Sequence, residues 1–267
     1  MESNADSGDQ TVWRPPGDGA SARRIRDLSA RLLTTGNTAK LYCLQLIDHA
    51  AAKMEGEFRI VDLGCGDGSN FHELLRRRRN VRYVGVEPLR EAAEEASRML
   101  LGAEIINAPA YDVRVEPAHA VVSFSVLEHV VDRPRYFEAM RSNLRRDGRV
   151  YLNYDSGHFV ADADLLERAK ALASHALARF GSESRYRRRV SANEAHWLIE
   201  RTRMRVVDDK VFNTDVKRLL PFVGAEGRES FMERWLAFEL GLNELGLAYR
   251  DELDSVFRTR NLLLEPN

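Results

Sequence analysis

One short stretch constrains the fold more than any other. The apolar run Arg59-Ile60-Val61-Asp62-Leu63 leads directly into Gly64-Cys65-Gly66-Asp67-Gly68, with glycine at alternate positions. Glycine lets a backbone turn tightly and lets another group approach the main chain without meeting a Cβ. A strand that ends in such a loop and is followed by a helix fits a parallel α/β sheet. In doubly wound sheets of that kind, ligands bind outside the carboxyl ends of the strands.

The rest of the chain supports that architecture. Short apolar runs at 59–63, 81–86, 104–106, 120–124 and 149–154 predict strands, and 40–53, 69–79, 90–101 and 134–144 predict helices. Asp147-Gly148 predicts a turn ahead of the fifth strand. The alternation implies a parallel sheet with right-handed crossovers. The second half departs from it: 162–180, 191–203 and 228–249 predict helices, and 205–212 and 256–264 predict two more strands. Residues 1–20, with their Gly, Pro, Ser and Asp, predict a mobile tail. Residues 21–267 then form one domain with insertions at about 161–190 and 213–254. The reading favoured for the insertions is a helical lid over an acceptor, against packing on the sheet or a dimer contact.

Composition narrows the function classes. Of 267 residues 44% are hydrophobic and 30% charged, as in globular chains. A formal net charge of −1 gives no general drive toward nucleic acid or anionic lipid. No apolar run approaches the ~20 residues of a membrane helix. Only two cysteines occur, Cys43 and Cys65, so no disulfide framework is expected, and Cys43 reads as core. No His/Cys cluster has metal-ligand spacing, so no metal is expected. The polar segment 1–10 has no apolar leader, and the expected location is cytoplasmic. A monomer or homodimer is expected. Arg76–Arg79 predicts a solvated helix end. Arg185, Arg187, Arg188 and Arg189 stand around Tyr186 and could meet an anionic acceptor, although a solvated run is the preferred reading.

Two cofactor classes share a glycine loop after the first strand. The dinucleotide fingerprint needs glycine or alanine where this chain has Ser69, so that match is imperfect. The next strand ends in Glu87-Pro88, with Glu87 nineteen residues after Gly68, and a carboxylate there can accept hydrogen bonds from ribose hydroxyls. The acid at Asp62, two residues before the first glycine, and the G-x-G-x-G run resemble motif I of class I S-adenosylmethionine-dependent methyltransferases. Ser125-Val126-Leu127-Glu128-His129-Val130 is similar to a segment of that family's small-molecule, ubiquinone-biosynthesis-like branch.

The resemblance implies a Rossmann-like, doubly wound, seven-stranded sheet whose last strand is antiparallel. It also implies a cofactor, S-adenosyl-L-methionine, held at Asp62, Gly64, Cys65, Gly66, Gly68, Glu87 and Pro88. Asp62 would position the loop. In the family an acid often follows the third strand and accepts from the adenine amino group. Here Asn107-Ala108 occupies that place, and Asn107 can accept through its side-chain oxygen. Backbone near Ser125 would face the methionine part. For acid–base work the candidates are His129, Asp155 and His158; Tyr154, Asp155 and His158 could line an acceptor pocket, with an ordinary turn as the equal alternative. A second-shell or packing role is the competing reading for His129, and a brace for the loop is the reading for Glu128. The expected activity is methyl transfer to an oxygen or nitrogen of a small-molecule acceptor. The alternatives are an RNA or protein methyltransferase, a non-catalytic cofactor-binding partner subunit, and a nicotinamide-dependent oxidoreductase.

Overall fold

The computed structural model describes residues 37–155, 186, 188–250, 253 and 256–267. Seven strands form one sheet: β1 (Phe58–Leu63), β2 (Val81–Val86), β3 (Glu104–Ile106), β4 (Ala118–Phe124), β5 (Leu144–Asp155), β6 (Met204–Phe212) and β7 (Thr259–Pro266), in the order β3-β2-β1-β4-β5-β7-β6. The first five pair in parallel, and β7 runs antiparallel to both β5 and β6. Strand order reverses between β1 and β4, so the carboxyl ends of these two strands open a crevice.

Six helices are described: α1 (Thr38–Ala52), α2 (His72–Arg77), α3 (Arg90–Met99), α4 (Arg133–Ser142), α5 (Ala192–Arg201) and α6 (Arg228–Glu244). Three of their starts follow capping chemistry. Asn37, Asp132 and Ser191 accept from the backbone N–H of Lys40, Arg135 and Glu194, each at 3.1 Å. α1, α2, α3 and α6 supply one core cluster with Phe58, Ile60 and Tyr83, from one face of the sheet. α4 and α5 supply the other, with Val61, Leu63 and Val84 from the opposite face. β1 is buried on both faces, as expected of a central parallel strand.

The expected elements are present, with informative shifts. α2 starts later than the pattern predicts because the glycine loop closes with a turn, Phe71 N donating to Gly68 O at 3.1 Å. Asp147-Gly148 is not a turn ahead of β5. The strand begins at Leu144, and the register shifts between Ala118, opposite Leu144, and Ala120, opposite Arg149, so the pair lies in an irregularity within β5. The predicted helix at 228–249 stops at Gly246, which adopts φ +70. Arg76, Arg77 and Arg79 are exposed, as read, but Arg78 is only partly so: its guanidinium binds the buried Asp48 carboxylate at 2.6 and 2.9 Å, tying the end of α2 to α1. Cys43 is buried, as read.

The tail at 1–20 and the predicted helix at 162–180 lie outside the described residues. The described residues of the second insertion pack on the domain core. Met232, Leu236 and Leu240 of α6 join the core cluster of α1. Its polar residues cover the outer edge of β6. The Asn243 amide accepts from Val211 N and donates to Val211 O, both at 2.8 Å. Tyr249 OH donates to Asp209 O, and Glu239 Oε1 accepts from Asn213 N at 2.6 Å. An edge strand otherwise offers such groups to a second chain.

Candidate functional site

The crevice at the β1–β4 switch collects most of the residues singled out in the sequence. Gly64 N and Cys65 N both donate to Val86 O, at 2.7 and 3.1 Å, pinning the loop against the end of β2. Gly64, Gly66 and Gly68 all have positive φ. A Cβ on Gly64 would lie 2.4 Å from Val126 Cγ2, so this glycine lets the loops after β1 and β4 touch. A Cβ on Gly66 would meet nothing within 4 Å, so the space beside that residue is open to a ligand. Cys65 contributes backbone: its thiol is buried in the core, and burial pushes its pKa up.

Glu87 closes the loop from the next strand. Its Oε2 accepts from Gly66 N and its Oε1 from Leu89 N, each at 3.0 Å. The carboxylate therefore points at the glycine loop. Glu87 N in turn donates to Ile106 O at 3.0 Å, the tip of β3. Asn107 Nδ2 donates to the carbonyls of Glu87 and Pro88 at 2.8 and 3.1 Å, leaving its oxygen at the other end of the amide. Ala108 packs against the core beside it.

Asp62 lies beneath the loop and is 1% exposed. Tyr83 OH donates to its Oδ2 at 2.8 Å, whereas Oδ1 is buried with no hydrogen-bond partner among the described residues. Burial raises its carboxyl to about 7, against the opposing Tyr83 bond and the nearby Lys40. Lys40 also acts electrostatically on Asp67, so the start of α1 borders the loop. Sequence reasoning missed Lys40, and its only signal is its place one turn into a helix with no motif of its own.

The end of β4 is strained. Ser125 is not glycine but has φ +59, a conformation that non-glycine residues keep only when their surroundings enforce it. Here Ser125 N donates to Asn153 O at 2.9 Å and its Oγ to Asn153 Oδ1 at 3.2 Å. The chain of bonds continues: Asn153 Nδ2 donates to Asn261 Oδ1 at 2.5 Å, and Asn261 Nδ2 to Ala39 O at 2.6 Å. A buried polar line thus joins the loop after β4, β5, β7 and the start of α1. Asn153 and Asn261 carried no sequence motif and were missed.

The candidate acid–base residues separate. His129 sits in the 3-10 turn Leu127–His129, and its Nδ1 lies 2.9 Å from Tyr186 O. Asp155 ends β5 opposite Thr259 and is nearly buried. Tyr154 precedes Asp155 on β5. It is 1% exposed within the core, where burial raises its phenol to about 12. His158, Arg185 and Arg187 lie outside the described residues. Arg188 pairs with Glu194, and Glu128 O accepts from Arg188 N at 2.9 Å. Among the described residues, no group of three or more His, Cys, Asp or Glu is placed to hold a metal, and no helix is long and apolar enough to cross a membrane.

Comparison with known proteins agrees with this geometry. Three solved structures share the fold. A geranyl diphosphate methyltransferase solved with GPP and sinefungin has a TM-score of 0.54 and 16% identity, over 84% of this chain and 78% of that one. The plantazolicin methyltransferase BamL, solved with a triazolic desmethylPZN analog and SAH, has a TM-score of 0.53 and 12% identity, over 93% and 90%. The YcgJ protein of Bacillus subtilis has a TM-score of 0.50 and 17% identity, over 84% and 98%. No curated protein matches the chain. A family model described as a methyltransferase domain matches residues 20–208, well over half of the sequence. The chain belongs to this methyltransferase-domain family.

Proposed function

We propose that this chain binds S-adenosylmethionine in the β1–β4 crevice and transfers its methyl group to an oxygen or nitrogen of a small-molecule acceptor. The observation that carries the reading is the convergence of Gly66, Glu87 and Asp62. Open space beside Gly66 adjoins a fixed carboxylate, and a buried acceptor without a partner lies beneath it. These residues fit the cofactor's chemistry. Glu87 would accept from the ribose hydroxyls, Asp62 Oδ1 would receive a donor from the bound molecule, and the Asn107 oxygen would take the adenine amino group. Backbone at Gly64, Cys65, Gly68, Pro88, Ala108 and Ser125 would shape the cradle around it.

When bound, the cofactor supplies a methyl carbon on a sulfonium, open to in-line displacement. The chain's own contribution is mainly to hold that carbon and the acceptor in line. His129 would take the proton of a hydroxyl or ammonium acceptor, with Asp155 and His158 as further candidates. One neighbour is named a geranyl diphosphate methyltransferase and was solved with GPP, and another was solved with a triazolic desmethylPZN analog, and these bound compounds support the small-molecule reading. The test is incubation of the protein with methyl-labelled cofactor and a metabolite extract, followed by mass spectrometry. A labelled small molecule is expected. Label appearing only in RNA or protein, or cofactor binding without any transfer, would overturn the reading.

A further inference from the structure

Arg133, the first residue of α4, is among the most buried large side chains, at 1% exposed. An arginine is rarely so enclosed unless every donor is answered. Its Nε donates to Leu127 O at 3.2 Å, its Nη1 to Arg189 O at 3.1 Å and to Glu194 Oε2 at 2.6 Å, and its Nη2 to Arg188 O at 2.6 Å. One guanidinium thus bridges the turn after β4, the backbone of Arg188 and Arg189, and the first turn of α5. That backbone is fastened again where Arg188 N donates to Glu128 O at 2.9 Å, and below it where Val190 is fully buried.

The consequence falls on the neighbouring histidine. Tyr186 O lies 2.9 Å from His129 Nδ1. A carbonyl oxygen can only accept, so Nδ1 must carry the proton in that bond. In the neutral ring the lone pair then belongs to Nε2. We propose that Arg133 is a positioning residue: by holding the Arg188 and Arg189 carbonyls, it sets the Tyr186 carbonyl against His129 and fixes the ring as the Nδ1–H tautomer. The basic atom at the end of β4 is then Nε2. The use of that atom rests on the proposed methyl transfer. Nε2 takes the acceptor's proton while the acceptor's electron pair bonds the methyl carbon and the carbon–sulfur pair leaves on sulfur. The tautomer itself does not rest on that reading, so the two can fail separately.

The experiment is two-dimensional ¹⁵N NMR of histidine rings in the full chain bound to S-adenosylhomocysteine, at about pH 8, above the ordinary histidine pKa of ~6.5. His129→Asn assigns the signal. The wild type should show His129 protonated at Nδ1, and a ring protonated at Nε2 overturns the proposal. Arg133→Lys keeps the charge but supplies a point donor that cannot span the same carbonyls and carboxylate. It should lose the Nδ1–H signal in favour of Nε2–H, and an unchanged tautomer overturns the role of Arg133. If that variant does not fold, Glu194→Gln, at a partly exposed side chain, removes the charged partner that the Arg133 and Arg188 side chains share. It should move the tautomer the same way by a smaller amount, and no movement counts against the proposal. General loss of packing would lower the melting temperature without selecting a tautomer.

Discussion

The two halves of the sheet hold their loops by different means. Around β1, β2 and β3 the backbone does most of the work: Gly64 N, Cys65 N and Gly66 N are the donors, and Val86 O and the Glu87 carboxylate receive them. Around β5, β6 and β7 side chains stand in for backbone. Asn243 completes the edge of β6, Asn153 and Asn261 link β4 to α1, and Arg133 gathers carbonyls beside α5. A backbone site favours glycines at fixed positions, because they adopt positive φ and allow close approach at the least steric cost. A side-chain site needs one amide or guanidinium at the right point in space, which many sequences supply.

The largest way to break this contrast is at Gly64. Gly64→Val places branched carbons against Val126 at a positive φ, and a loss of about 4 kcal/mol or more is expected, with binding of S-adenosylhomocysteine abolished. Chemical denaturation and calorimetry check both. Gly66→Ala sharpens it. With nothing near its Cβ, it should cost only the backbone strain of about 1–2 kcal/mol in stability, yet still weaken binding, because the added carbon enters the space left for the ligand.

Asn243→Ala tests the other half. It strands both Val211 N and Val211 O in a buried place, a loss on the order of 4 kcal/mol by urea denaturation. Affinity for S-adenosylhomocysteine should not change. A parallel drop in affinity would mean that the halves are not separable in this way.

A smaller effect concerns Glu239, fully buried on α6, where burial raises the carboxyl to about 7. The folded chain keeps a proton there that the unfolded chain releases above its ordinary value of ~4.3. This stabilisation is complete below that value and is lost as pH rises through about 7. Glu239→Gln retains an oxygen for Asn213 N and stays neutral. Its advantage in melting temperature over the wild type should grow from about pH 4 to about pH 8, by no more than about 4 kcal/mol in stability. An advantage independent of pH would contradict the assignment.

The contrast also explains what could be read in advance. The strand alternation, the glycine loop and the acid at the end of the next strand were legible because each depends on local pattern or on residues with special backbone behaviour, whereas the antiparallel last strand was legible only through the family resemblance. The delayed start of α2 was not legible, because a local turn closes the glycine loop first, and neither was the irregularity at Asp147-Gly148, where strand pairing overrides turn propensity. Tyr154 falls within the fifth strand, and strand parity puts it in the core with Leu152. Arg78 read as solvent-facing because charge runs usually are, and its buried partner Asp48 is distant in sequence. Asn153, Asn261 and Arg133 are ordinary letters until the fold brings their partners to them.

The most direct test is isothermal titration of S-adenosylhomocysteine into the wild type and into Glu87→Ala. The account predicts binding to the wild type and a ten- to hundred-fold weaker affinity in the variant, since a hydrogen bond to a charged group contributes about 1.5–3 kcal/mol. Equal affinity in the two proteins, or no heat with the wild type, would contradict it.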